Sequence, residues 1–169
     1  ENNQIQKIRK IYFDSIESEI KNRDDSKLYI DKLPLNIIYV GEIARIFPNA
    51  KFIISLRHPC DCVLSCFMQN FYLNDAMSNF LNLDDSAYLY DAVMGLWTQY
   101  KTIFPINYKE IKYENLIQNF EITIKSVLDF LELPWHDSLF KYYKTAKQRE
   151  IIATPSYHQV IKPIYFHAS

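Results

Sequence analysis

The chain has 169 residues, 49% of them apolar and 15% aromatic, with a formal net charge of −1. Length and composition suit a globular domain with its own core and exclude a disordered chain. The balanced charge argues against a general nucleic-acid or membrane-surface binder, so any bound anion must be held by local charge.

Residues 4–21 place Ile5, Ile8, Ile11/Tyr12, Ser15/Ile16 and Glu19/Ile20 at three-to-four spacing, which predicts an amphipathic helix. Asn22 to Ser26 is a polar turn, and Leu28-Tyr29-Ile30 a short strand candidate that runs into Asp31-Lys32-Leu33-Pro34. Proline at the first position and apolar residues from Leu35 to Phe47 predict a second helix, stopped by Pro48-Asn49. Lys51 to Leu56 is a β-branched and aromatic run, expected as a strand buried on both faces. Arg57 and His58-Pro59 follow it directly, so strand, cation, turn and a helix to about Asn70 succeed one another within a few residues.

Leu73 to Asp84 looks like a surface excursion, after which Asp85-Ser86 is expected to cap a long helix ended by Pro105. Leu89, Val93, Leu96/Trp97, Tyr100 and Ile103/Phe104 share one face of it. Asn107 to Tyr113 alternates as a third strand, and Glu114 to Leu116 opens a helical turn. Phe120 to Leu131 is a helix with Ile124, Val127/Leu128 and Leu131 inward, and His136 to Tyr143 a shorter one. From Lys147 on the chain reads as a polar loop.

Strands alternating with helices predict an α/β fold with a parallel sheet. Three strands are few for such a sheet, and Glu1-Asn2-Asn3 reads as the middle of a protein, so at least one more strand is expected upstream. No segment is apolar and long enough for a bilayer span, and the first residues do not resemble a secretory signal.

In open α/β sheets, anions gather outside the carboxyl ends of strands, near helix N-termini and fixed cations. Arg57 stands at such an end, and Ser65 follows eight residues later on the next helix, so the two could grip one phosphate. Lys32 occupies the same strand–cation–proline–helix arrangement. Only two glycines occur, Gly41 and Gly95, so neither common glycine-rich phosphate loop is present in this chain.

Cys60, Cys62 and Cys66 fall within one short helical stretch. Disulfides between helix neighbours are geometrically poor, so reduced thiols in a cytoplasmic setting are expected. With His58 they match no common zinc spacing, and no metal site is expected. Asp31, Asp61 and Glu114 form no pair suited to acid–base work, and His58, His136, His158 and His167 no nucleophile arrangement.

YIDKLPLN (29–36), FPNAKFIISLRHPCDCVLSCFMQNF (47–71), IKYENL (111–116), LDFLELPW (128–135) and TPSYHQVIKPIY (154–165) together resemble the sulfotransferase family. The nearest branches are the bacterial domains that often follow tetratricopeptide repeats and the tyrosylprotein sulfotransferases. The resemblance runs from about residue 28 to the end. It implies a P-loop-NTPase-like fold and the donor 3′-phosphoadenosine 5′-phosphosulfate, with a hydroxyl-bearing acceptor such as a peptide tyrosine, a glycan or a small alcohol. It implies that Arg57 and Ser65 hold the donor's 3′-phosphate and that Tyr113 lies near the adenosine. Lys32 would stabilise the transferring sulfuryl group, with Ser156 beside it and Gln159 and Lys162 closing over the cofactor. A homodimer stays open.

The family's G-x-P-R-S-G-T-T-like loop and the glutamate after it have no counterpart here, so residues 1–169 are expected to be the C-terminal portion of a single such domain. Removing one strong donor to developing charge costs ~2.7–4 kcal/mol, so the chain alone is expected to be nearly inactive. A P-loop kinase relative and a non-catalytic nucleotide-binding remnant are the alternatives.

Overall fold

The structure, a computed structural model, describes residues 2–19 and 27–141. It divides into two compact units, one formed by the chain up to Phe52 with Gly95–Asn107, the other by Ile53–Met94 with the chain from Tyr108 on.

The first unit opens with α1, Asn2–Glu19. Its covered residues are Ile5, Arg9, Tyr12, Phe13 and Ile16, whereas Ile8 and Ile11 face outward. The stripe is therefore rotated from the expected one, because Tyr12 and Phe13 both pack on Phe47, at ring distances of 5.0 and 5.8 Å. Leu28–Ile30 is not the expected strand: the segment is irregular, and Ile30 is 76% exposed. Three apolar residues with no neighbouring strand have nothing to pair with, and a β pattern alone does not make a ladder. The expected turn at Asn22–Ser26 lies outside the described residues.

Leu33 has the extended backbone that a following proline imposes, and Pro34 starts a 3₁₀ turn, Pro34–Tyr39. This passes into α2, Val40–Ile46, whose C-terminal carbonyl at Ile46 accepts a hydrogen bond from the Arg9 side chain. Val40 and Trp97 are the buried apolar residues of this unit among those described. The Tyr100 hydroxyl donates to the Ile38 carbonyl at 2.7 Å, where the 3₁₀ turn gives way to α2.

The strand β1, Lys51–Leu56, pairs with β2, Asn107–Lys112, in a small parallel sheet flanked by helices, as the α/β reading expected. β1 is not buried on both faces, for Phe52, Ile54 and Leu56 are covered while Ile53 and Ser55 are exposed. The sheet has two strands among the described residues, so the third that Leu28–Ile30 was to supply is absent from it. The boundary between the units falls inside β1 and inside the long helix α4, Leu83–Ile103.

In the second unit, α3 spans Pro59–Phe67, shorter than expected, and the excursion after it contains a 3₁₀ turn, Met77–Phe80. Asn82, rather than Asp85-Ser86, caps α4: its Oδ1 accepts from the Asp85 backbone N–H at 2.7 Å. Ser86 is buried instead, its hydroxyl donating to the carbonyls of Asn82 and Asn79 at 2.7 and 3.2 Å. α5, Tyr113–Gln118, and α6, Phe120–Leu131, follow β2, and Val127 is buried on the α6 face that the periodicity predicts. α6 ends in a left-handed residue, Glu132, at φ 61°, with Leu133 N–H bonded to the Leu128 carbonyl at 2.9 Å. The last described element is a 3₁₀ turn, Asp137–Lys141, where a helix to Tyr143 was expected.

A candidate anion corner at the β1–α3 junction

The corner is built by the end of β1, the start of α3 and the start of α5, all in the second unit. Arg57 leaves β1 as its last covered neighbour, and His58 and Pro59 turn the chain into α3. His58 occupies the N-cap position without a side-chain cap, while Asp61 supplies a carboxylate in the first turn.

A carboxylate and an aromatic ring flank the guanidinium. Arg57 Nε lies 3.6 Å from Asp61 Oδ2, an ion-pair rather than a hydrogen-bond distance. Its Cζ sits over the Tyr113 ring, 5.2 Å from the centroid. Next to it, Glu114 Oε1 accepts the His58 backbone N–H at 2.9 Å and so ties the β2–α5 junction to the residue after Arg57. That carboxyl is held below its ordinary value by its own backbone N–H and that of His58, with the charges of His58 and Arg57 adding to the effect.

Arg57 and Tyr113 are therefore brought together. Ser65 is exposed on α3, one turn beyond Asp61 on the same helix face, and so on the side where Asp61 meets the guanidinium. Lys32 is exposed in the first unit, on an irregular segment rather than at a strand end. Its neighbour Asp31 accepts a hydrogen bond from the Tyr12 hydroxyl at 3.3 Å, which anchors the segment to α1. Burial, then the Asp31 charge and hydrogen bond, raise Tyr12 above the usual phenol value. Ser156, Gln159 and Lys162 lie outside the described residues.

Sequence reasoning missed the positioning roles of Glu114, Asp61 and Tyr12. Asp61 was within reach of it, since it stands four residues after Arg57. Glu114 was not, because 56 residues separate it from His58. A cavity of about 520 Å³ lies within the first unit, lined by Gly41, Arg45, Phe52, Tyr100, Phe104 and others, and contains none of these site residues. Among the described residues, no group of three or more His, Cys, Asp or Glu could hold a metal ion. No described helix is long and apolar enough to cross a membrane.

A cation at a strand end, an aromatic face beside it and a hydroxyl on the following helix can hold a phosphate and an attached ring. The comparisons with known proteins bear on what such a corner serves. The model described as "Sulfotransferase family" matches residues 2–137, which includes α1 and stops before the 154–165 motif. An uncharacterized protein of Aquifex aeolicus (strain VF5) is 35% identical over 137 residues, covering 80% of this chain and 18% of that protein's length. The corner residues all fall within the matched span, and the chain belongs to the sulfotransferase family.

Proposed function

We propose that this chain forms the donor-binding part of a sulfotransferase that moves a sulfuryl group from 3′-phosphoadenosine 5′-phosphosulfate to an acceptor hydroxyl. Family membership implies a sulfonate donor. The observation that carries the assignment is Arg57, held at the end of β1 over the Tyr113 ring. A guanidinium suits a bidentate phosphate contact, and an adjacent aromatic face suits a nucleoside. Arg57 and Ser65 take the 3′-phosphate in this reading, and Tyr113 borders the adenosine.

Lys32 and Ser156 serve the sulfuryl end, where charge shifts from the transferring group to the leaving phosphate, and Gln159 and Lys162 cover the nucleotide. These four assignments rest on the resemblance. So do a hydroxyl acceptor on a peptide, glycan or small alcohol and tetratricopeptide repeats in the whole protein; a cytoplasmic location follows instead from reading the α3 cysteines as reduced thiols, and a homodimer stays open. The chain is read as the C-terminal portion of its domain, the 5′-phosphosulfate loop being supplied from outside it.

Titration calorimetry with 3′-phosphoadenosine 5′-phosphate tests the donor site. Arg57→Ala is expected to weaken binding roughly 10- to 150-fold, the equivalent of ~1.5–3 kcal/mol for a hydrogen bond to a charged group, with the fold retained. ATP, which lacks the 3′-phosphate, should compete poorly. Unchanged affinity in the variant overturns the assignment, and preference for ATP favours a kinase relative.

A further inference from the structure

The excursion between α3 and α4 is held in shape by its own polar groups. Asn74 Oδ1 accepts the backbone N–H groups of Ala76 and Met77 at 3.0 and 2.9 Å. The Ser78 hydroxyl and the Asn79 amide donate to the Asp75 carbonyl at 2.8 and 3.3 Å. Its apolar side chains stay at the surface all the same. Phe71 and Phe80 pack with ring centroids 5.3 Å apart, and with Met68, Leu73, Met77 and Leu81 they line a groove of about 360 Å³ in the second unit. Met68, Leu73 and Leu81 are 73%, 68% and 65% exposed. No charged side chain lines the groove. Large apolar side chains gathered in an exposed concave site mark a place where another molecule binds.

Charge around the groove selects the partner. No Lys or Arg occurs between Arg57 and Lys101, although the chain has 19, whereas Asp61, Asp75, Asp84, Asp85 and Asp91 all fall in that stretch. Asp75 lies within two residues of both Leu73 and Met77, and Asp84 and Asp85 follow Leu81 closely. Asp75, Asp84 and Asp91 are exposed and form no ion pair among the described residues. An anionic rim of this kind repels phosphate backbones and acidic lipid headgroups and attracts Lys and Arg.

We propose that the groove docks a basic, apolar peptide segment of a partner protein. Apolar anchors of that segment seat among Met68, Phe71, Phe80 and Leu81, and its Lys or Arg side chains face Asp75 and Asp84. Flexible, polarizable methionines adapt to such anchors, as in the grooves that take amphipathic helices. Because the turn is already tied by its own hydrogen bonds, docking orders little of the chain. The groove begins at Phe67, the last residue of α3, whereas the anion corner lies at its first. The nine residues of α3 span ~13 Å, so peptide docking stands apart from donor binding.

The test is fluorescence anisotropy with a fluorescein-labelled amphipathic peptide of leucine and lysine, titrated with the full chain. Saturable one-to-one binding that weakens with added salt is expected. Met68→Lys combined with Leu81→Lys should weaken it about tenfold or more, as when an apolar anchor loses its seat. Asp75→Asn combined with Asp84→Asn should weaken it severalfold and flatten its salt dependence. Ile122→Lys, on the exposed side of α6, should leave it unchanged. The same peptide with glutamate in place of lysine should not bind. The aspartate variant and the peptide charge reversal leave the apolar walls intact, so they decide the matter even if the lysine variant does not fold. Equal binding of the glutamate peptide, or unchanged affinity in the groove variants, overturns the proposal. So does absence of binding by the full chain, as when residues 142–169 or a second copy fill the groove.

Discussion

Glu114 does its work through a neighbour. It accepts the His58 N–H at 2.9 Å and thereby holds the residue that follows Arg57, without itself pairing with a ligand in the proposed site. Its pKa lies below the ordinary carboxyl value of 4.5 in the folded chain, chiefly because its own and the His58 backbone N–H groups stabilise the charged form. A depressed carboxyl pKa contributes stability that is present above the unfolded value and lost as pH falls through the folded one. Glu114→Gln keeps an acceptor oxygen but no charge. The melting-temperature gap between wild type and Glu114→Gln should therefore be widest near neutral pH and close as pH drops below 4.5. A gap that widens on acidification contradicts the assignment. The Arg57–Asp61 pair at 3.6 Å has no comparable effect on stability, since partly exposed ion pairs contribute little.

Helices read differently at the two glycines of the chain, Gly41 and Gly95. At Gly95, inside α4, an added Cβ meets nothing within 4 Å. At Gly41, in α2, it would stand 2.8 Å from Tyr100 Cε1 and 3.3 Å from Phe104 Cε2. The Tyr100 ring cannot swing away freely, because its hydroxyl is bonded to the Ile38 carbonyl at 2.7 Å. Gly95→Ala should stabilise the chain by about 0.5–1 kcal/mol through helix propensity. Gly41→Ala should destabilise it, since overpacking of ~1–3 kcal/mol exceeds the same propensity gain. Urea denaturation separates the two, and equal stabilisation by both would remove the close contact from the account. What was legible in sequence follows a similar line. β1, α3 and α6 were readable because β-branched runs, proline at a helix start and three-to-four spacing act locally. Leu28–Ile30 was misread because strand identity needs a partner that no local pattern reveals. The Glu132 turn was invisible because its left-handed backbone is carried by a glutamate, where glycine is the usual signal. The strand end that carries Arg57 was readable from its local pattern, whereas the Glu114 bond depends on contact between distant stretches.

On the scale of the molecule, the family match spans residues 2–137, while the match to the Aquifex aeolicus protein covers 18% of that relative. The proposed site has a cation for the 3′-phosphate but, with only two separated glycines, no glycine-rich loop for the phosphosulfate. A radiolabelled sulfate-transfer assay on the isolated chain should therefore give little or no turnover, although nucleotide binding persists. Normal turnover would show that Lys32 and Ser156 serve the sulfuryl end without a glycine-rich loop. The two compact units also differ in a way that experiment can exploit. The chain has two tryptophans, and each unit holds one. Trp97 is buried in the first, with Lys101 Nζ 5.6 Å from its ring. Trp135, partly covered in the second, has Lys125 Nζ at 5.5 Å and packs edge-on against Phe140. Each unit thus carries its own intrinsic fluorophore in a distinct surrounding, so emission from one and then the other can time their unfolding separately without any added label.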